Sequence, residues 1–432
     1  MLAAVLRGIS TGLLCLAVPV VLWQLIIGLQ GLFPMIKRPV LEEKKHRFAV
    51  IICARNEEKV IGSLLDSLYA QQYPQDCFTV FVVADSCTDG TAQEARRHGA
   101  IVYERFDETR RGKGYALSWV FERLREEYPD RFDAAAFFDA DNLAAPDFLD
   151  KMNDALCAGA DVAQGYRDTK NVEDSAVSAC YAVYWQSITR FYHRARYNCG
   201  LPCMVCGTGF VCRWACVADG WHTRSLVEDN EFSIQQTNKG STIVPVYDAV
   251  FYDEQPVTWR TSFRQRFRWL AGGIQCMKYE LPNSLRALRR RPLAVLDGIM
   301  YMFSLVFLGL SVLGGSLWLA ALVVETLANP SEALRPDWIW LIGLMAAGLL
   351  FIWLFALLTV LVEHKPLRRY WKGIVLYPVF LVPMGYMALV ALFHPRTEWK
   401  PIVHNRAYTM ADMPEQKKRR TKPLDSAGGN VL

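Results

Sequence analysis

Four charge-poor apolar stretches divide this chain, and what lies between them must fold in water. Leu13 to Phe33 carries no charge and is long enough to cross a bilayer. Ala294 to Val324 holds one ionisable residue, Asp297, near its start. Trp338 to Val362 is again free of charge, and Ile374 to Phe393 is apolar but interrupted by Pro378 and Pro383. The 432 residues are 52% hydrophobic, above a soluble average, and the excess sits in these stretches.

The first stretch reads as a retained anchor rather than a secretory signal. Arg7 is the single basic residue ahead of it, and no small-x-small cleavage site follows. Lys37, Arg38, Lys44, Lys45 and Arg47 lie on its C-terminal side, which the positive-inside rule assigns to the cytosol. The N-terminus is therefore expected outside. The net charge of +5 is mild. Basic residues gather beside the apolar stretches (Arg286, Arg289, Arg290 and Arg291; His364, Lys365, Arg368, Arg369 and Lys372), where anionic lipid headgroups would lie. No basic groove interleaved with aromatic residues suggests nucleic acid. Twelve cysteines beside a cytosolic domain read as free thiols.

Residues 46–255 alternate strand and helix patterns. Phe48 to Ala54 is an apolar run suited to a buried parallel strand, and Asn56 is placed to cap a following helix. Phe78 to Ala84, Ala100 to Tyr103 and Ala134 to Phe138 read as further strands, Tyr115 to Glu127 and Ser225 to Asn238 as helices. Residues 174–197 read as one aromatic-rich helix, and Gly207-Thr208-Gly209 marks a tight turn before a strand. The expectation is an α/β domain with a parallel sheet covered on both faces. Ligands bind such sheets beyond the strand C-termini. Asp85, Asp139 and Asp141 fall on that edge.

Five constellations carry chemistry, each with an ordinary alternative. Asp139-Ala140-Asp141 can hold a divalent cation on a diphosphate, because hard cations take oxygen ligands and alternate strand residues face one side. A lone Asp-x-Asp is otherwise a solvated turn. Glu228-Asp229 at a helix start can supply a general base, or can simply favour the helix dipole. Gln265, Arg268 and Trp269 share one helix face, fit to neutralise a leaving diphosphate and stack on a sugar, or else to lie in the headgroup plane. Arg111-Gly112-Lys113-Gly114 can cradle phosphate or form a plain basic loop. Cys199, Cys203 and Cys206, with Cys212 and Cys216 behind, have the spacing of an iron–sulfur site in radical enzymes. Without a partnering histidine, buried free cysteine is the default.

Taken in order, Ala54-Arg55-Asn56-Glu57-Glu58, Val83 to Thr91, Gly112-Lys113-Gly114, Asp139-Ala140-Asp141, Glu228-Asp229 and Gln265-Arg266-Phe267-Arg268-Trp269 resemble the motifs of membrane-embedded family 2 glycosyltransferases. The likeness runs closely over residues 46–275 and includes the poly-N-acetylglucosamine, chitin, hyaluronan and cellulose synthases. It implies a GT-A nucleotide-sugar fold, a Rossmann-like α/β domain, joined to transmembrane and interfacial helices, and an inverting reaction. By resemblance, Asn56, Glu57, Asp85, Lys113 and Asp139 bind the nucleotide sugar. Asp139 and Asp141 hold Mg2+ or Mn2+. Asp229 is the base, with Glu228 and Arg268 catalytic. Gly207, Thr208, Gly209, Gln265 and Trp269 meet the acceptor. A UDP-sugar is the expected donor, UDP-GlcNAc or UDP-Glc above others. The expected acceptor is a growing β-linked polysaccharide, with a lipid as the alternative. An inactive scaffold or transport subunit is the rival of another class, and the full set of carboxylates speaks against it.

The expected organisation is an anchor over residues 1–36, the catalytic domain over 46–255, interfacial helices over 256–292, and two crossings over 293–365. Residues 366–393 are expected to be interfacial or a third C-terminal crossing. A basic tail follows over 394–432, with eight Lys or Arg against four Asp or Glu, and polar enough after Met413 to be disordered. Its segment Glu398 to His404 is similar to the gating loop of those synthases, with Ile402 or Val403 where the family has Thr. Three spans form a narrow bundle, so a polymer path calls for a second copy or a partner membrane subunit. The expected setting is a bacterial plasma membrane with the catalytic domain in the cytosol.

Overall fold

The computed structural model describes residues 1–36, 39–107, 109–328, 336–395 and 407–413. Lys37, Arg38, the segment Glu398 to His404 and the tail after Met413 lie outside the described residues. Eight strands form one sheet: β1 (Phe48–Ala54), β2 (Phe78–Asp85), β3 (Ile101–Arg105), β4 (Ala134–Asp139), β5 (Leu143–Ala144), β6 (Val162–Thr169), β7 (Phe210–Arg213) and β8 (Ile243–Asp253), in the order β3-β2-β1-β4-β7-β6-β8-β5. The helices are α1 (Leu2–Leu29), α2 (Ile61–Tyr69), α3 (Thr91–Arg97), α4 (Lys113–Glu127), α5 (Phe148–Cys157), α6 (Ala176–Ser187), α7 (Ala195–Asn198), α8 (Glu228–Lys239), α9 (Trp259–Ala287), α10 (Pro292–Ala328), α11 (Pro336–Val362) and α12 (Leu367–Phe393).

The period-two pattern of β1 explains the layers. Phe48, Val50, Ile52 and Ala54 join Ile61, Leu64, Leu65 and Leu68 of α2 and Phe148, Leu149, Met152 and Leu156 of α5 in one core. Ala49 and Ile51 join Leu117, Val120, Phe121 and Leu124 of α4 and Phe232 of α8 on the other face. β1 to β4 are parallel neighbours, as expected. The sheet as a whole is mixed, however. β7 runs antiparallel to both β4 and β6, and β5 antiparallel to β8. The chain re-enters the sheet at the Gly207–Gly209 turn, from the edge where β4 ends, and so must run back against it. Gly209 has φ +61°, and a Cβ there would collide with the Phe251 ring. Gly209→Ala combines left-handed strain with overpacking, and should destabilise the domain by about 2 to 4 kcal/mol. Thermal unfolding in detergent would show it.

Two local expectations shift. The helix that follows β1 starts at Ile61, not at Asn56. Asn56 instead adopts φ +58°, and its side-chain oxygen accepts from the Thr88 N–H at 2.8 Å, tying the loop after β1 to the loop after β2. The aromatic helix is continuous but carries a π-helical stretch, Ile188–Arg194, between α6 and α7.

Among the described residues, four helices are long and apolar enough to cross a membrane: Leu2–Leu32, Pro292–Ala328, Pro336–Val362 and Leu367–Phe393. α1 and α10 run antiparallel. Arg7 near the start of α1 pairs with Glu325 near the end of α10 at 2.6 Å, and with Asp337 of α11 at 2.7 Å. At the other end, Asp297 accepts from Trp23 Nε1 at 2.8 Å and from Arg196 Nε at 2.7 Å. That buried ion pair joins α1 and α10 to α7 of the sheet domain. α12 is one unbroken helix despite Pro378 and Pro383. One face, Tyr370, Ile374, Tyr377 and Phe380, packs on Tyr181 and Val183 of α6, while Trp371, Val375, Val379 and Val382 on the opposite face are exposed. Its N-terminal end adjoins the sheet domain. Arg369 pairs with Glu173 at 3.3 Å. Beyond its C-terminus, Tyr408 donates to Asp174 at 2.6 Å and packs, with Met413, on Leu143 and Tyr252.

Candidate active site

The strand ends, the start of α8 and one face of α9 enclose a single cavity of about 1150 Å³. It exceeds the usual range for one small ligand, roughly 300 to 1,000 Å³. Glu57, Asp85, Lys113, Asp139, Asp141, Gly207, Glu228, Asp229, Gln265, Arg268 and Trp269 all line it. Of the site residues expected by resemblance, Asn56, Thr208 and Gly209 do not. Thr208 is fully buried, and its hydroxyl accepts from the Asp139 N–H at 2.9 Å and donates to Asn142 Oδ1, so it shapes the end of β4 from behind.

Each acid has its own surroundings. Asp85, at the end of β2, accepts from Arg105 Nη1 at 2.6 Å, and burial raises its carboxyl against the pull of that guanidinium. Lys113 opens α4 and reaches across the cavity floor, donating to Asp139 Oδ1 and, at 2.6 Å, to the Gly207 carbonyl. Asp141 is buried, and Asn142 Nδ2 donates to its Oδ1 at 3.3 Å. Asp139 and Asp141 fit a divalent cation by donor type, as two carboxylates on one cavity wall. Among the described residues no group of three His, Cys, Asp or Glu could hold one. A Mg2+ or Mn2+ ion there would need a ligand's phosphate oxygens and water to complete its shell, a common arrangement for Mg2+.

Glu228 and Asp229 start α8 without a side-chain cap. Burial pushes the Glu228 carboxyl up to about 7, with the Asp229 charge adding to the rise and Lys113 and Arg268 opposing it. Burial also raises Asp229, against the Asn230 N–H that donates to its Oδ1 at 2.9 Å. The helix start alone would hold both acids ionised, but desolvation outweighs it. Asp229 faces Gly207, where a Cβ would come within 3.3 Å of Asp229 Oδ2. Arg268 donates to the Leu226 carbonyl at 2.8 Å, just ahead of α8. Trp269 packs among Tyr181, Tyr184 and Trp185, with ring centroids 5.5 to 6.2 Å away.

Several lining residues escaped the sequence. Arg167, inside β6, stacks on the Trp185 ring at 3.9 Å and pairs with Asp253 at 3.3 Å. A lone arginine inside a strand gave no signal. Asp253 ends β8 on the ligand edge, and the rule that singled out Asp85 and Asp139 would have found it had that strand been recognised. His193 Nε2 stands 3.6 Å from Cys206 Sγ. Burial, with the Arg196 and Arg167 charges, lowers His193 to about 3, and burial raises the Cys206 thiol to about 12. Both are neutral at physiological pH, so Cys206 is no thiolate nucleophile. The twelve cysteines are free.

Comparisons with known proteins agree with this geometry. A sequence model described as "Glycosyltransferase like family 2" matches residues 46–272. The chain is 25% identical over 276 residues to the probable glycosyltransferase YdaM of Bacillus subtilis, covering 61% of this chain and 64% of that protein. It is 28% identical over 247 residues to glucomannan 4-beta-mannosyltransferase 1 of Oryza sativa, covering 54% and 46%. The chain thus spans only about half to two thirds of the length of these curated relatives. Among solved structures, the mannosyltransferase PcManGT of Pyrobaculum calidifontis, in complex with GDP-Man and Mn2+, superposes with a TM-score of 0.55 over 86% of this chain and 98% of that one, at 18% identity. That likeness speaks to fold, a GT-A-like domain. With the family match covering more than half of its residues, and with the acids and the Gln-x-x-Arg-Trp helix face on one cavity, the chain belongs to glycosyltransferase family 2.

Proposed function

We propose that the protein transfers a sugar from a UDP-sugar, with inversion at the anomeric carbon, to a hydroxyl presented at the cytosolic face of a membrane. The observation that carries this reading is the one cavity, lined by Asp139, Asp141 and Lys113 together with Glu228 and Asp229. Asp139 and Asp141 would hold Mg2+ or Mn2+, which when bound offsets the charge of the diphosphate. Lys113 and Arg268 add positive charge where the leaving group gains negative charge. Asp229 takes the acceptor's hydroxyl proton as that oxygen bonds to the anomeric carbon from the face opposite the diphosphate. The bond from the anomeric carbon to the phosphate oxygen breaks, and the nucleoside diphosphate leaves with the electron pair. An α-linked donor gives a β-linked product. UDP-Glc and UDP-GlcNAc are the favoured donors, and Trp185 and Trp269 are the rings placed to stack on a sugar.

The packing of the tail supports a membrane arrangement for this reading. Tyr408 and Met413 pack on the catalytic domain, so an even number of crossings lies between that domain and residue 407. α10 and α11 cross, and α12 lies along the interface with Val375, Val379 and Val382 toward lipid. A growing polysaccharide and a lipid both deliver a hydroxyl to Asp229. The test is a panel of UDP-sugars, with GDP-Man beside them, given to the purified protein in lipid with Mg2+ or Mn2+. One or two UDP-sugars are expected to release UDP and to yield a glycosylated product. Release from none of them would end the transferase reading. Release from GDP-Man alone would replace the donor.

A further inference from the structure

We infer that the acceptor is an uncharged amphiphile whose hydrocarbon chain lies in an apolar lane running from Asp229 to the crossing of α10 and α12. This rests on the transferase reading and names the acceptor class for the same site. Beyond Asp229 the cavity wall changes character. Asn230 donates to the Tyr301 hydroxyl of α10 at 3.0 Å. The lining there includes Leu305 of α10, Phe267 and Leu270 of α9, and Met384, Met387 and Val390 of α12, with His394 just past the end of α12. A sugar chain needs hydrogen-bond partners along its length, and the six apolar side chains offer none. An alkyl chain needs none, and methionines adapt readily to its shape.

The lane is also blind. A Cβ on Gly309 of α10 would fall 3.0 Å from the Leu389 nitrogen of α12, and a Cβ on Gly385 would fall 2.6 Å from Val312. The two helices therefore cross with backbones nearly touching, just past Leu305. The lining takes nothing from α10 beyond Leu305, and nothing from α1 or α11. A polymer has no path between α10 and α12, whereas one chain of a lipid has a place to end. The buried carboxylates Glu228 and Asp229 stand where the acceptor's head must sit, which disfavours an anionic head and suits a hydroxyl.

The test uses the full chain in lipid nanodiscs, with whichever donor releases UDP, and a dodecyl glucoside carrying a photoactivatable diazirine at its chain end. The expected label falls on Leu305 or between Met384 and Val390, and the product is one sugar larger. Label confined to the lipid-facing Val375, Val379 and Val382 would overturn the lane. In Leu305→Trp, which fills it, the KM for dodecyl glucoside should rise about tenfold or more, since each CH2 excluded from an apolar site costs about fourfold in affinity. The donor KM should stay within twofold, a split that general damage to the fold would not produce. An unchanged acceptor KM would overturn the proposal. So would a ladder of water-soluble products built on chainless cellobiose, although that result leaves the transferase reading standing. Absence of UDP release from every donor removes the transferase reading itself, and with it the lane.

Discussion

Asp229→Asn should lower kcat by at least about a hundredfold while leaving the KM for the donor near its starting value. The substitution keeps the shape and removes the basic oxygen. Asp229 stands beside Gly207 and is not one of the two carboxylates, Asp139 and Asp141, that would carry the cation on the diphosphate, so donor affinity should survive. Glu228→Gln is the necessary companion, because both carboxyls line the cavity. If the asparagine variant turns over normally while the glutamine variant is dead, the base is Glu228.

The pH profile gives the same assignment an independent reading. Burial raises both carboxyls, Glu228 to about 7. The base acts only when ionised, so kcat/KM should climb as pH rises and flatten above about 8. The two groups sit side by side, so the climb belongs to the pair. Stability should run the other way. A carboxyl whose folded pKa exceeds its unfolded value binds more protons in the folded state between the two, so its contribution is present at low pH and is lost as pH rises through about 7. At pH 8, Asp229→Asn and Glu228→Gln should therefore melt higher than the unmodified protein. An inactive variant that is also less stable would point to a broken fold instead of a missing base.

Much of this arrangement was legible in sequence, and the physical reasons differ by element. β1, β2 and β4 are largely apolar runs, and β2 and β4 end in acids, which fixes both their burial and the edge on which Asp85 and Asp139 lie. The Gln265, Arg268 and Trp269 face follows from helical spacing alone. β6 and β7 were harder. Val162 to Thr169 mixes Gln164, Arg167 and Asp168 into the strand, because one end of it lines a polar cavity, and so the apolar signal is lost. The antiparallel return of β7 depends on where a long excursion through α6 and α7 delivers the chain, and no local pattern records that. The Arg196–Asp297 pair was equally hidden, since Asp297 looked like a lone charge at the margin of an apolar stretch. The membrane end of the cavity is built from Leu305, Met384 and Met387, residues indistinguishable in sequence from any others facing lipid or core.

Removing the cation should be as costly as removing the base. In wild-type protein stripped with a chelator, UDP release should fall by two to three orders of magnitude and return with Mg2+ or Mn2+, because a cation on the diphosphate is worth several kcal/mol and each 1.36 kcal/mol is about tenfold in rate. Asp141→Ala should show the same loss without recovery, and calorimetry should find its metal-dependent donor binding abolished. Asp139→Ala is expected to do more, because Asp139 also holds the Lys113 ammonium against the Gly207 carbonyl. Its loss leaves that ammonium without its carboxylate partner on the cavity floor, so the variant should bind UDP weakly even where the metal no longer matters. Arg268→Ala separates the two electrostatic contributions. If positive charge from α9 assists departure of the diphosphate, this variant should lose kcat while keeping its response to Mn2+, whereas Asp141→Ala loses the response itself. Turnover of Asp141→Ala that still rises with added Mn2+ would remove Asp141 from the metal site, and with it the claim that the end of β4 is where the diphosphate is held.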